Sequence, residues 1–298
     1  MNLLGEPFGY EFFRQGLFAS VLVGAVCGLI GVYVVLRRMS YIGHGLSHSV
    51  FGGAVVAYVA SIDFYLGAGL WGFLSALLIN AVARRRKVGA DAAIGIVTTA
   101  SFAVGVALIS RTRSFTRNFE AALFGNILGV TVVDLIAVAI VAGAVTAFII
   151  LYYKRLLFIT FDPEVAPIYG VRRGWVDTLF ALALAAVIVA SINVVGVTLI
   201  AATLVIPAST ARLLTDSFAR MLAVSTFLGA GAGLLGMYLS YWLDISSGAT
   251  IVLLEAGFFI LAAAWTAILP RRRRRTAIPA TGRLVEDRPL DAGVLEPH

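Results

Sequence analysis

Of the three histidines in the 298-residue chain, two, His44 and His48, stand four positions apart in RRMSYIGHGLSHSVFGGAVVAY, residues 37–58. On an α-helix that spacing puts both imidazoles on one face, a turn apart. Neutral imidazole ligates zinc, copper, iron and nickel, so such a pair can share one ion. Ser40 occupies the same face four residues before His44. Two ligands leave a four-ligand shell of the zinc type half filled. A second copy of the chain across a two-fold axis would supply the same pair again. The alternative is that each ring only hydrogen-bonds a carbonyl of a neighbouring helix. A zinc-protease motif requires glutamate directly after the first histidine, and Gly45 stands there instead.

The helix that must carry these rings is apolar enough to lie in a membrane, where a histidine usually faces a bundle interior or a water-filled cavity. The chain as a whole is 60% hydrophobic and 13% charged, with a mean hydropathy of +0.95. A soluble domain has no use for that much apolar surface, and runs of about 20 apolar residues match a hydrocarbon core of about 30 Å. The expected fold class is all-α, a polytopic transmembrane helical bundle. Thirty glycines fit close helix approach in lipid. The net charge of +7 comes from short arginine clusters between apolar runs, the positive-inside pattern of a membrane protein rather than a nucleic-acid surface. Cys27 is alone in an apolar run, which excludes a disulfide framework and a cysteine metal site. The first fifteen residues lack a basic start and cleavage site, so the first span is expected to serve as the insertion signal.

Hydropathy places spans at about 16–36, 41–60, 64–83, 92–110, 131–153, two between 175 and 212 folded at Ser191–Asn193, 221–243 and 249–269. That makes about nine, or eight if the arginines between 111 and 117 set the topology. The polar stretch 111–130 reads as a loop, an interfacial helix or a re-entrant piece. Residues 1–269 form the membrane domain, and 270–298, opening with Arg271 to Arg275, a basic disordered tail. Placing the clusters at 37–38, 84–87, 154–155 with 172–173, 212 with 220, and 271–275 on one side puts the tail in the cytoplasm of a multi-pass cell-membrane protein. The arginines between 111 and 117 go against that arrangement. His44, six residues past Arg38, lies about 9 Å along its helix, in the cytoplasmic half.

Other residues invite chemistry or packing. Asp162, Pro163 and Glu164 read as N-cap, first helical position and first-turn acid of a short helix that Gly170 ends. Glu255, a third of the way into the last span, is either a functional carboxyl or one that snorkels or is protonated near an interface. Asp91, Asp134 and Asp177 lie near span ends, where solvation accounts for them. Gly43, Gly45, Gly52 and Gly53 serve either close packing or local unwinding that bares carbonyls to a pathway. No GxxxxGK[ST] loop occurs and no Ser-His-Asp triad can be assembled, so the chain is not expected to be an enzyme. Any pumping would draw on a partner or an ion gradient.

Several stretches together resemble one family, the membrane permeases of ABC importers for the divalent ions of zinc, manganese and iron. They are VYVVLRRMSYIGHGLSHSVFGG (32–53), GADAAIGIVTTASFAVGVALIS (89–110), LFGNILG (123–129), FDPEVAPIYGV (161–171), VVGVTLIAATLVIPASTARLL (194–214) and GMYLSYWLDISSGATIVLL (236–254), in family order across about 10–268. The resemblance implies a homodimer in the lipid bilayer, two copies of an ATP-binding cassette ATPase beneath it, and a solute-binding protein that delivers the ion. It makes 162–170 a coupling helix and the divalent ion a substrate, with no permanently bound cofactor. His48 matches the family's metal-binding histidine; the family's GDALSH is GHGLSH here, so His44 stands at the aspartate position. Imidazole in place of carboxylate softens the site, which leans toward zinc and leaves manganese and iron open. His44 and His48 are then transient ligands, with Ser40 and Glu255 as pathway candidates. A permease for metal chelates or cobalamin-like ligands, and a membrane enzyme using the histidines as acid–base groups, are the alternatives.

Overall fold

The computed structural model describes residues 6–83, 89–112, 125 and 127–268. The 84–87 arginine cluster, the arginines at 113 and 117, residues 123, 124 and 126 of LFGNILG and the tail from 270 lie outside the described residues. The described residues form ten α-helices and no strand: α1 (Glu11–Leu36), α2 (Ser40–Val59), α3 (Phe64–Ala83), α4 (Ala90–Thr112), α5 (Val132–Leu151), α6 (Tyr153–Phe161), α7 (Arg173–Val195), α8 (Ile200–Leu214), α9 (Phe218–Leu243) and α10 (Ser247–Ile268). Seven of them, α1, α3, α4, α5, α7, α9 and α10, are long and apolar enough to cross a membrane. The histidine helix α2 matches them in length at 20 residues, but its serines and histidines make it less apolar.

Helix α1 is the centre of the bundle and packs antiparallel on α9 along a seam of small residues. Ser20 donates its hydroxyl to the Gly233 carbonyl at 3.1 Å, and Ser225 donates to that of Gly28 at 2.6 Å. Between them Gly24 and Gly229 meet so closely that a Cβ on either would lie 2.1 Å from the other's carbonyl oxygen. One turn further along α1, a Cβ on Gly31 would lie 1.9 Å from the Leu204 carbonyl oxygen of α8. Small residues four apart let backbones approach where lipid gives little other reason for helices to associate.

Helix α1 begins at Glu11, five residues before the expected span, and two further departures from the hydropathy reading bear on the site. The long apolar run does not fold at Ser191–Asn193, since α7 continues to Val195 and the chain breaks at Gly196, with φ +87°. Asn193 stays helical because its side chain bonds residues of α3 and α5. The following helix, α8, has only 15 residues and contains Pro207, so it is shorter than the ~20 residues a span requires. It sits inside the bundle against α1, α2, α9 and α10.

The second difference lies at 162–170, which is a run of turns rather than a two-turn helix. Asp162 does cap a first turn, its Oδ1 accepting from the Val165 N–H at 3.3 Å and its carbonyl from the Ala166 N–H at 3.1 Å. Pro167 has no N–H to continue the ladder. The chain instead closes on Gly170, at φ +72°, with the Val171 N–H bonded to the Ala166 carbonyl. The regular helix lies just before, at α6.

The seam yields a test by thermal unfolding of detergent-purified protein. Gly24→Ala forces the Gly229 backbone away and is expected to destabilise by about 1–3 kcal/mol. Gly143→Ala, on α5 with nothing within 4 Å of its added methyl, is expected to be neutral or stabilising by up to about 1 kcal/mol.

Candidate metal site

Helix α2 begins after a tight reversal. The Arg37 N–H closes α1 on the Tyr33 carbonyl, Arg38 turns into the left-handed region at φ +55°, and the Met39 N–H reaches back to the Val34 carbonyl at 2.9 Å. One turn into α2 the rings of His44 and His48 lie with centroids 4.5 Å apart and planes at 80°. His44 is exposed and His48 half-buried, its ring edge-on to Phe102 of α4 at 5.2 Å. The rings are close enough for one ion, about 2 Å from a nitrogen of each, to touch both.

They face a cavity of about 490 Å³ between α2 and α4, lined also by Tyr41, Asp91, Thr98, Thr99 and Phe102. Of these, Asp91 reads from sequence as a solvated span end and the two threonines carry no signal of their own. What brings α4 here is its packing, for a Cβ on Gly45 would meet Ile94 at 2.6 Å and one on Gly52 the Ser101 carbonyl at 2.3 Å. The glycines of α2 therefore serve close packing, and the helix is continuous through all four of them, without unwinding. Among the described residues no three of His, Cys, Asp and Glu converge on one point, so a single chain offers an ion two imidazoles and little more.

The remaining sequence candidates fall elsewhere. Ser40 opens α2 but does not line the cavity, and neither does Glu255. Glu255 is 1% exposed in the interior, which rules out snorkelling. Neither of its carboxyl oxygens has a hydrogen-bond partner, nor do the Thr203 and Ser191 hydroxyls. Thr203 faces the carboxyl from α8, and the Cys27 thiol lies beside Ser191. Asp162, Pro163 and Glu164 directly follow the end of α6, with Asp162 and Glu164 exposed.

Two acids that read as solvated are in fact paired. Asp134 is 7% exposed and forms a capping box with Thr131 at the start of α5. It also accepts from the Tyr65 hydroxyl and, at 3.1 Å, from the Asn193 amide, which in turn donates to Tyr65 at 2.7 Å. Asp177 accepts from Arg37 Nη1 at 3.0 Å. Burial pulls the Arg37 guanidinium below the usual arginine range, and Asp177 opposes that shift. Both partners lie far away in the chain, where no local pattern could announce them.

Seven helices long and apolar enough to cross a membrane, a glycine seam and a histidine pair facing a cavity are the frame of a multi-pass helical membrane protein. The ABC 3 transport family matches residues 9–266, and the chain belongs to that family as a permease subunit of an ABC-type transporter. It is 39% identical over 257 residues to the manganese transport system membrane protein MntC of Halalkalibacterium halodurans, covering 86% of this chain and 88% of the relative. It is 36% identical over 262 residues to the "Probable iron transport system membrane protein" of Haemophilus influenzae, covering 88% and 93%. Among solved structures it superposes on PsaBC from Streptococcus pneumoniae, in complex with Fab, at a TM-score of 0.77 and 33% identity, covering 85% of this chain and 91% of that one. The solved structure "An inward-facing conformation of a putative metal-chelate type ABC transporter" shares the fold, with a TM-score of 0.69 at 17% identity and 85% of each chain covered.

The polar knot between α3, α5 and α7 gives a second test. Tyr65→Phe removes the hydroxyl that joins Asp134 to Asn193, and thermal unfolding is expected to report a loss of about 1–3 kcal/mol.

Proposed function

We propose that the chain is the permease of an ATP-driven importer of divalent transition-metal ions. The observation that carries this is the pair of imidazoles, 4.5 Å apart, opening on a cavity in a permease of this family. The protein works as two copies related by a two-fold axis. Each copy offers His44 and His48 as transient ligands, and together the two make a shell of four imidazoles. A conduit requires that the ion also leave, so these ligands bind it transiently. Alternating access passes the ion between the copies, and it binds as substrate with no resident cofactor. Likeness to relatives named for manganese and iron supports those ions. The case for zinc rests on the imidazole donors alone. A chelate permease would need a pathway without histidine ligation, and here the histidines front the cavity.

The end of the bundle that carries Arg37, Phe161, Asp177 and Phe218 faces the cytoplasm, together with the arginine clusters and the tail after 270. There the 162–171 turns dock on the ATP-binding cassette ATPase, the energy source for a chain without an ATP-binding loop. Exposure supports this contact: Ile168 is 81% and Tyr169 68% exposed beside the acids Asp162 and Glu164. A solute-binding protein delivers the ion from the far side. Residues 1–269 are the permease domain and 270–298 a basic cytoplasmic extension.

Reconstitution with the ATPase in proteoliposomes tests the reading, with uptake and ATP hydrolysis measured for manganese, iron and zinc. His48→Ala is expected to lower uptake at least tenfold, roughly one lost ligand's worth, while the variant still elutes as a folded dimer. Unchanged uptake would remove the histidine site. Glu164→Arg is expected to weaken co-purification of the ATPase and leave metal binding intact; full retention would move the docking contact elsewhere.

A further inference from the structure

The guanidinium of Arg37 holds both ends of the exposed 162–171 turns at once. Its Nε donates to Thr160 Oγ1 at 3.2 Å, two residues before Asp162, in the last turn of α6. Its Nη1 donates to Asp177 Oδ1 at 3.0 Å, in the second turn of α7 beyond those turns. The group lies over the Phe180 ring, 4.5 Å from the centroid, with the side chain only 7% exposed. The Thr160 hydroxyl is itself anchored, donating to the Leu156 carbonyl at 2.7 Å. Asp177 is steadied by Arg173 at 3.5 Å.

The other side of Arg37 is equally short. It caps α1, and only Arg38 and Met39 separate it from Ser40, the first residue of the histidine helix. The reversal is closed by hydrogen bonds from Arg38 to the Val35 carbonyl and from Met39 to that of Val34, so it has little slack. A displacement of either leg of the turns therefore reaches the start of α2 through one rigid planar group. Burial of a lone arginine would be costly, and offsetting it takes an anion together with hydrogen bonds to the remaining N–H groups. Two partners on separate segments are what a bridge requires. A planar fork can hold both, whereas a lysine ammonium is a point charge. Nη2 is buried and lacks a hydrogen-bond partner, leaving a donor free to take one up when the segments shift.

We infer that Arg37 is the positioning residue that transmits movement of the 162–171 turns to the histidine helix, coupling the ATPase to the metal pathway. The inference rests on the proposal that these turns meet the ATPase. Three variants separate the two ideas in proteoliposomes containing the ATPase, read as metal taken up per ATP hydrolysed and as ATPase co-purified. Arg37→Lys keeps the charge but loses the bridge. It is expected to co-purify fully, hydrolyse ATP, and carry about tenfold less metal per ATP, within the usual range of a coupling between sites. Thr160→Val cuts one leg only and is expected to lower the same ratio less, serving as the decisive variant if Arg37→Lys fails to fold. A wild-type ratio in Thr160→Val, or in a folded Arg37→Lys, overturns the inference. Glu164→Arg tests the underlying contact separately: loss of co-purification there beside a normal ratio in Arg37→Lys would leave the docking intact and remove the strut. Retained co-purification in Glu164→Arg would remove the docking contact on which the strut depends.

Discussion

The bundle depends on two backbones touching. Where α1 crosses α9, Gly24 and Gly229 leave no room for even one carbon between them, and Ser20 and Ser225 reach across on either side to the opposite carbonyls. Lipid tails are as apolar as the side chains, so hydrophobic burial does little to bring helices together in a membrane. Close dispersion contact and interhelical hydrogen bonds do that work instead. With α1 fixed on α9, Gly31 takes the backbone of α8 against its next turn. The end of α1 then determines where α2 starts, with three residues between them. The position of the two imidazoles is thus inherited from a contact several turns away.

A second constraint follows from the apolar setting, in which a polar side chain has no water to fall back on. The bundle answers it in three ways. Asp134, Tyr65 and Asn193 satisfy one another across three helices. Arg37 and Asp177 pair at the end of the bundle. The histidines open on a cavity instead of being enclosed. Four oxygens of Glu255, Thr203 and Ser191 are closed in the interior without a close hydrogen-bond partner, as are the Tyr33 hydroxyl and Nη2 of Arg37.

Much of this was legible in the residues. Spans 64–83 and 41–60 fall within a residue of α3 and α2, because charged or turn-forming residues bound them on both sides. The histidine pair was legible because spacing of four has one meaning on a helix. Reading failed where a residue's role is settled by a distant partner. Asn193 beside Ser191 looks like a turn, yet bonds to α3 and α5 keep it helical and the break moves to Gly196. Asp134 and Asp177 look solvated because Tyr65 and Arg37 are out of sight along the chain. At 162–170 the start was right and the length wrong, since Pro167 ends what Asp162 and Pro163 begin.

The tight reversal at Arg38 also bears on how the membrane domain is made. Because α1 and α2 are separated by so few residues, they are tied as a hairpin, and neither can settle at its own depth. The more greasy first helix therefore carries the serine- and histidine-bearing second one into lipid, where that sequence would insert poorly unaided. A polar, chemically useful helix is tolerated here because it arrives already tethered to an apolar escort.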